Sequence, residues 1–70
     1  MTMRAQLEAL VREMVDKGIL YDDARREFER RYILYALEKG DGNIGRTAEL
    51  TGMHRNTLSR KIAEYDIKRK

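Results

Sequence analysis

The feature that most constrains the fold is residues 42–67, where two short apolar-patterned stretches flank a central glycine, Gly52. Only the three residues 51–53 separate them, and Gly52 can adopt the positive φ that a tight turn requires. Ala48 lies four residues earlier, at a point where two steeply crossing helices leave space only for a small side chain. The spacing therefore predicts a helix, a three-residue turn and a second helix, the layout of a helix-turn-helix.

The second of these helices has two chemically different faces. Leu58, Ile62 and Tyr65 recur at i, i+4 and i+7, which predicts one apolar stripe directed at a core. The opposite face has no core to enter and is free to enter a DNA groove. Its residues are Asn56, Ser59, Arg60 and Ala63, with Arg55 to one side.

Charge is distributed unevenly along the chain. Residues 1–42 contain 8 Lys or Arg against 9 Asp or Glu (net −1), whereas residues 43–70 contain 7 against 3 (net +4). A basic surface attracts a polyanion because neutralised phosphates release counterions. The alternative is a solvated basic surface with no partner, but its coincidence with the helix-turn-helix pattern favours nucleic acid.

Composition limits the other classes of function. With 70 residues the chain forms one domain, and charged and helix-forming residues without proline favour an all-α fold. It contains one His and no Cys, and shows no apolar run long enough for a membrane span and no signal-peptide pattern. We therefore expect a soluble, cytoplasmic protein with no cofactor, no metal, no membrane and no small-molecule substrate. Nothing in this composition favours an enzyme.

The amino-terminal half predicts two longer helices. The first, residues 3–17, carries a broad apolar face and is ended by Gly18. This face is larger than a domain of this size readily covers, so a second subunit is favoured over packing on the chain's own second helix. Its residues are Leu7, Leu10, Val11, Met14 and Val15.

The second helix is predicted over residues 23–39, with Asp22 and Asp23 at its start. Its first half places Ala24 and Phe28 on one face and turns Arg25, Arg26, Glu29 and Arg30 largely outward. Residues 32–37 are apolar all round, which predicts burial on every side. Tyr32 and Tyr35 could instead stack on bases, but aromatic residues in such a run favour the core.

Residues 40–42 break the second helix, and Asn43 is positioned to cap a third helix over residues 44–51. Arg46 in its first turn opposes the helix dipole, which indicates either a nearby phosphate or an acidic partner such as Glu49. The recognition helix is predicted over residues 54–65. Residues 68–70 are expected to be a loose tail that adds positive potential.

From about Glu27 onward the chain resembles the Fis family of bacterial DNA-binding proteins, including the carboxy-terminal domains of NtrC-type enhancer-binding activators. The first helix matches only by type. Four positions depart from the family pattern: Thr47, Thr51, Met53 and Asp66. The matching residues are Phe28 to Leu34 before the loop, Gly42 and Asn43, Arg46, Ala48 to Leu50, Gly52, Arg55 to Leu58, Arg60, Lys61 and Tyr65.

The resemblance implies an intertwined homodimer of four-helix protomers. Residues 1–42 form its dimerisation helices, and residues 43–70 form a helix-turn-helix with a basic tail. The two recognition helices lie closer than the roughly 34 Å of one DNA turn, so binding to adjacent major grooves of an inverted-repeat site requires bending. The expected dimer interface consists of Leu7, Leu10, Val11, Met14, Phe28 and Tyr32.

Roles at the DNA follow from the same resemblance. Arg55 is the expected base reader, because a guanidinium makes a bidentate contact with guanine. His54 caps or packs at the helix start or contacts DNA, since no second His or Cys lies at metal-ligand spacing. Asn56 either reaches a base edge or only keeps the face polar. The expected phosphate contacts are Asn43, the Gly45 amide, Thr57, Ser59, Arg60 and Lys61.

The resemblance thus implies a sequence-selective, DNA-bending homodimer that regulates bacterial transcription and is associated with the nucleoid. A helical protein-interaction or dimerisation module of a larger enhancer-binding activator is the alternative function. It would use the apolar first helix to recruit a partner such as an ATPase domain. Binding to several phosphates weakens steeply with salt, whereas an apolar interface hardly responds, so salt dependence separates the two hypotheses.

Overall fold

A computed structural model describes residues 2–68, which form four α-helices and contain no strand. The predicted all-α class and the order of the four helices are confirmed. The last two predicted tail residues, 69 and 70, lie outside the described residues. Nowhere in residues 2–68 does a helix combine the length and apolar character needed to cross a bilayer. The helices are α1 (Met3–Asp16), α2 (Tyr21–Lys39), α3 (Ile44–Thr51) and α4 (Arg55–Glu64).

Local signals set the ends of α1. The Thr2 side-chain oxygen accepts a hydrogen bond of 3.1 Å from the Ala5 amide and so caps the amino terminus. At the other end Gly18 adopts φ 75°, and the Ile19 amide donates to the Met14 carbonyl at 3.0 Å. This left-handed closure satisfies carbonyls that the helix end would leave free. Gly18 therefore ends the helix, as predicted.

The start of α2 differs from the prediction. The helix begins at Tyr21, two residues earlier than expected, after an extended Leu20 that makes no side-chain capping bond. Asp22 and Asp23 thus lie inside the first turn. There they stabilise the helix through their charge near its positive end rather than as capping acceptors.

A tight corner joins α2 to α3. Asp41 and Gly42 both adopt positive φ, and the Gly42 amide donates to the Leu37 carbonyl at 2.9 Å. Gly40 is buried, and a Cβ added to it would collide with the Thr47 hydroxyl and lie 3.2 Å from the Thr47 amide nitrogen. Glycine at position 40 therefore allows the two helices to approach closely.

The core lies between the second half of α2 and the helix-turn-helix. Thr47 is fully buried in this core, and its hydroxyl donates to the Asn43 carbonyl at 2.8 Å. Thr47 departs from the family pattern, but its buried hydroxyl is therefore not left unpaired. The buried apolar residues are Ile33, Ala36, Leu37, Ala48, Leu58, Ile62 and Ile67.

Burial on every side of residues 32–37 is wrong for the single chain. Ile33, Ala36 and Leu37 are buried, but Tyr32 is 46% exposed and Tyr35 is 61% exposed. An all-round apolar helix segment is buried all round only when something covers each face. Within one chain, α3 and α4 cover one face only.

The apolar face of α1 is left uncovered in the single chain. No residue of α1 is buried, and Met14 alone among its predicted core residues is half-buried. Together with the first half of α2 this face forms an open groove of about 780 Å³, here called the α1/α2 groove. Its apolar lining includes Leu7, Leu10, Val11, Met14, Phe28 and Tyr32.

Candidate nucleic-acid interface

The turn between α3 and α4 consists of Gly52, Met53 and His54, one residue later than the predicted turn of residues 51–53, because Thr51 is still the last residue of α3. Gly52 adopts φ 73°, and its amide donates to the Ala48 carbonyl at 2.9 Å. The Thr51 hydroxyl donates to the Thr47 carbonyl at 3.0 Å and accepts from the Met53 amide at 3.2 Å. A threonine at this position thus adds hydrogen bonds that fix the turn, and the turn fixes the direction in which α4 leaves.

The two faces of α4 are separated as the sequence predicts. Leu58 and Ile62 are buried, and Tyr65 at the end of the helix is half-buried. The residues of the opposite face are exposed to solvent. They are Arg55, Asn56, Ser59, Arg60 and Ala63.

His54 caps α4. Its Nδ1 accepts a hydrogen bond of 3.1 Å from the Asn56 amide, so Nδ1 carries no proton in this arrangement. The cap uses one of the two ring nitrogens and leaves the exposed imidazole at the edge of the recognition face. Across residues 2–68 no group of three or more His, Cys, Asp or Glu side chains is placed to hold a metal ion.

The first turn of α3 lies next to the start of α4. The Asn43 side-chain oxygen accepts from the Arg46 amide at 2.9 Å, so Asn43 caps α3 as predicted. A Cβ built on Gly45 would lie 3.4 Å from this Asn43 oxygen and 3.7 Å from a guanidinium nitrogen of Arg55. The guanidinium therefore lies beside the positive end of α3, an arrangement that an anion would stabilise.

Arg46 finds an acidic partner within the chain. Its guanidinium donates to the Asp41 carboxylate at 3.1 Å. The sequence had left open a phosphate or an acidic neighbour such as Glu49. The partner is Asp41, which the corner before α3 brings back toward the first turn of that helix.

A charged cluster holds the far end of α4. The Glu29 carboxylate accepts from the Tyr65 hydroxyl at 2.6 Å, from the Lys61 ammonium at 2.9 Å and from the Arg25 guanidinium at 3.2 Å. These four residues are the Glu29 cluster. The prediction that Glu29 turns outward is wrong, because its side chain is only 23% exposed.

The electrostatics of this cluster favour its charged form. Hydrogen bonds from Tyr65 and Lys61 lower the pKa of Glu29 from 4.5 to about 2. The bond to Glu29 raises the pKa of the Lys61 ammonium, and it also raises the pKa of the Tyr65 hydroxyl. Glu29 is therefore an anion and Lys61 a cation throughout the physiological pH range.

Seven of the nine predicted contact residues lie at the start of α3, at the cap of α4 or on the exposed face of α4, and Thr57, one turn before Lys61, is half-buried. Lys61 differs, since its side chain is 25% exposed and paired with Glu29. Sequence reasoning missed Glu29 itself. Its i,i+4 spacing from Arg25 was a readable signal, but its contacts with Lys61 and Tyr65 join residues 32 and 36 positions apart.

The chain matches a known family of bacterial proteins. The family model of the bacterial regulatory proteins of the Fis family matches residues 24–65, which include nearly all of α2, the turn and α4. The chain belongs to the Fis family. The matched Fis region omits α1, in agreement with a first helix that resembles the family only by type.

Curated relatives of this Fis-family chain include a nitrogen assimilation regulatory protein NtrX from Azorhizobium caulinodans, 44% identical over 50 residues, and a DNA-binding transcriptional regulator NtrC from Azospirillum brasilense, 46% identical over 48 residues. These alignments cover 71% and 69% of this chain, but only 11% and 10% of the relatives. A putative Fis-like DNA-binding protein from Xylella fastidiosa is 38% identical over 52 residues, which are 74% of this chain and 58% of that protein. No solved structure matches the chain.

Proposed function

We propose that this Fis-family chain is a homodimer that binds double-stranded DNA through α4 and regulates bacterial transcription at the chromosome. The observation behind this proposal is the two-faced α4, with Leu58 and Ile62 buried and a polar and basic face open to solvent. The excess of positive charge in residues 43–70 adds attraction to phosphates. The names of the relatives NtrC and the Fis-like protein agree with this function.

In the proposed complex α4 enters the major groove by its amino-terminal end. Arg55 reads a guanine, and His54 and Asn56 lie beside it at the base edges or the adjoining phosphates. The start of α3 contributes a neighbouring phosphate site. The proposed phosphate contacts are Asn43, the Gly45 amide, Thr57, Ser59 and Arg60. Lys61 is left out of this set because its ammonium is paired with Glu29.

A second copy of the chain is the proposed occupant of the α1/α2 groove. Leu7 is 55% exposed, Leu10 49% and Val11 50%, and a soluble domain rarely leaves so large an apolar surface facing water. Phe28 and Tyr32, whose ring centroids are 5.6 Å apart, extend this surface along α2. Two such chains can interlock α1 and α2 into one four-helix core with a helix-turn-helix at each end.

The proposed dimer bends its DNA. Recognition helices that lie closer than roughly 34 Å reach two adjacent major grooves only on a curved duplex. Bending costs on the order of 1 to 6 kcal/mol, so affinity depends on the flexibility of base steps that the protein does not touch.

Selection of binding sites from a random DNA pool tests the proposal, and an inverted repeat with a flexible centre is the expected outcome. Arg55→Ala should then reduce binding to the selected site much more than binding to unrelated DNA, by about 1 to 3 kcal/mol in discrimination. The matched control is Arg4→Ala, which removes an exposed arginine from α1. Equal losses of affinity for both DNAs would show that Arg55 does not read a base. If no DNA site is enriched in the selection, the proposal of sequence-selective DNA binding is wrong.

The second candidate function is an interaction module within a larger activator. The small share of NtrX and NtrC that the alignments cover favours it. In that case the α1/α2 groove would recruit another domain, and its binding would change little with salt. If the logarithm of the binding constant falls with the logarithm of the salt concentration by about 0.9 per neutralised phosphate, the partner is DNA instead.

A further inference from the structure

The Glu29 cluster contains the only long-range side-chain hydrogen bonds described among residues 2–68. All other side-chain hydrogen bonds described there join residues at most five positions apart, such as Arg46 with Asp41. The cluster joins α2 to the carboxy-terminal half of the recognition helix. It therefore links the proposed dimerisation unit directly to the proposed DNA-reading helix.

The geometry of the cluster restricts rotation of α4. Lys61 and Tyr65 lie one turn apart on the same face, and both donate to the same oxygen of Glu29. The Arg26 guanidinium lies over the Tyr65 ring, 5.6 Å from its centroid, which adds a cation–π contact between α2 and the end of α4. Two anchors one turn apart fix both the position of a helix and its rotation about its axis.

The cluster also determines which cations face the DNA. Arg60 is exposed and forms no ion pair with any residue in the described part of the chain. Lys61 follows it directly in sequence, yet its ammonium lies 2.9 Å from a carboxylate oxygen. An ammonium neutralised in this way releases no counterion from a phosphate.

We propose that Glu29 is a positioning residue for DNA recognition: it holds α4 in the orientation that places Arg55 at the bases, and it withholds Lys61 from the phosphates. This inference rests on the proposed DNA-binding function. Without Glu29, Lys61 is free to reach the backbone, and α4 keeps only the packing of Leu58 and Ile62 to set its rotation. Binding to unrelated DNA then strengthens while the preference for the selected site falls.

Salt titrations of the full chain on unrelated duplex DNA test the withholding of Lys61. The measured quantity is the salt slope, the steepness with which the logarithm of the binding constant falls against the logarithm of the salt concentration. Lys61→Met should leave the salt slope unchanged, whereas Arg60→Met should reduce it by about 0.9 per subunit, the value for one lost phosphate contact. Both substitutions remove one positive charge and keep an unbranched stem on the same helix. An equal reduction in the two variants would show that Lys61 contacts phosphate and would overturn the proposal.

Glu29→Gln tests the same idea from the other side. It keeps the shape of the side chain and should steepen the salt slope by about 0.9 per subunit while lowering the specific-to-non-specific ratio. Glu13→Gln is the matched control, because Glu13 is also a helical glutamate in residues 1–42, pairs with Lys17 at 3.2 Å and lies outside both the cluster and the lining of the α1/α2 groove. A similar change in the control would assign the effect to overall charge and contradict the proposal.

The double variant Glu29→Gln with Lys61→Met supplies the decisive comparison. If the steeper slope of Glu29→Gln comes from a freed Lys61, removing that ammonium restores the original slope. A slope that stays steep would exclude Lys61 as its source. Should Glu29→Gln fail to fold by circular dichroism, the comparison of Lys61→Met with Arg60→Met still decides.

Failure of this inference and failure of the proposed function give different results. If the unmodified chain does not bind DNA in a salt-dependent manner, the proposed function is wrong. If it binds and selects a site, but Glu29→Gln changes neither the slope nor the ratio, then only the role of Glu29 is wrong.

Discussion

The two halves of this chain differ in how far their apolar residues are buried. From Ile33 to Ile67 the chain covers its own apolar residues, so that Ile33 and Leu58 are almost inaccessible to water. Helix α1 has apolar residues of similar size, yet none of them is buried. The difference does not lie in hydrophobicity. It lies in the number of neighbouring helices, since α2, α3 and α4 surround one core, whereas the apolar face of α1 meets only α2, across the open α1/α2 groove.

The comparison shows that one short chain can specify two separate cores. The carboxy-terminal core is complete within the chain and orients the recognition helix. The apolar face of α1 is uncovered in the single chain, and a second copy covers it in the proposed dimer. We therefore expect substitutions in the first core to change folding, and substitutions in the second to change association.

The largest effect is expected inside the complete core. Leu58→Ala removes a fully buried side chain and should lower the free energy of unfolding by about 2 to 5 kcal/mol, most of what a domain of this size has. Leu50→Ala is the control on the neighbouring helix, since Leu50 is exposed and its truncation should change stability by about 0.5 kcal/mol at most. Urea denaturation measures both, and equal losses would remove the distinction between the cores.

Leu10→Asp probes the apolar face of α1. In the proposed dimer it buries an unpaired carboxylate in each subunit, at a cost of several kcal/mol, and the dimer should dissociate or unfold. In a chain that works alone, a half-exposed Leu10 would tolerate the charge with little change. Sedimentation equilibrium measures the association constant, with Gln6→Asp as a control on α1 outside the groove lining. A folded monomer for the unmodified chain at micromolar concentration would exclude the dimer.

A smaller effect should appear with acid, through the contact that joins the two halves. The pKa of Glu29 is about 2 in the folded chain and ordinarily 4.5, so its stabilising contribution is complete above about pH 4.5 and is lost as the pH falls through about 2. Glu29→Gln should be less stable than the unmodified chain at pH 7, and the gap should close between pH 4.5 and 2. Denaturant unfolding across this range measures the gap. A constant gap would contradict the lowered pKa.

The smallest expected effect is a stabilisation. Asp66 adopts φ 52° at the end of α4, where the Ile67 amide donates to the Ile62 carbonyl at 3.0 Å. Glycine adopts this conformation without steric strain, so Asp66→Gly should raise stability by about 0.5 to 1 kcal/mol without changing association. Lys68→Ala controls for loss of the exposed ion pair with Asp66. A destabilised glycine variant would show that the Asp66 side chain has another role.

Sequence predicted those features whose causes lie within a few residues. Gly18 and Gly52 end helices because of their own backbone freedom, and Asn43 caps α3 through an amide three residues later. The apolar stripe of α4 follows from periodicity alone. These local features determine the four helices, the turn and the exposed face of α4.

Features that depend on residues distant in the chain could not be predicted from the sequence pattern. Tyr32 was predicted to be buried because its segment is apolar, but the second half of α2 has neighbours on only one side within the chain. Glu29 was placed outward because helix periodicity cannot show that Lys61 and Tyr65 arrive beside it. Arg46 pairs with Asp41 because the corner before α3 reverses the chain and brings the two side chains together. Helix periodicity in the sequence does not predict the geometry of such a corner.

The close approach of Gly40 to Thr47 has a consequence for how such proteins diversify. The corner joins the proposed dimerisation helices to the helix-turn-helix unit, and the Thr47 hydroxyl leaves no space there for a Cβ on residue 40. A larger residue at either position would tilt one unit against the other, and the twofold axis of the proposed dimer would double the displacement. Small changes at this point offer a route by which related proteins could acquire different half-site separations while their base-reading side chains stay the same.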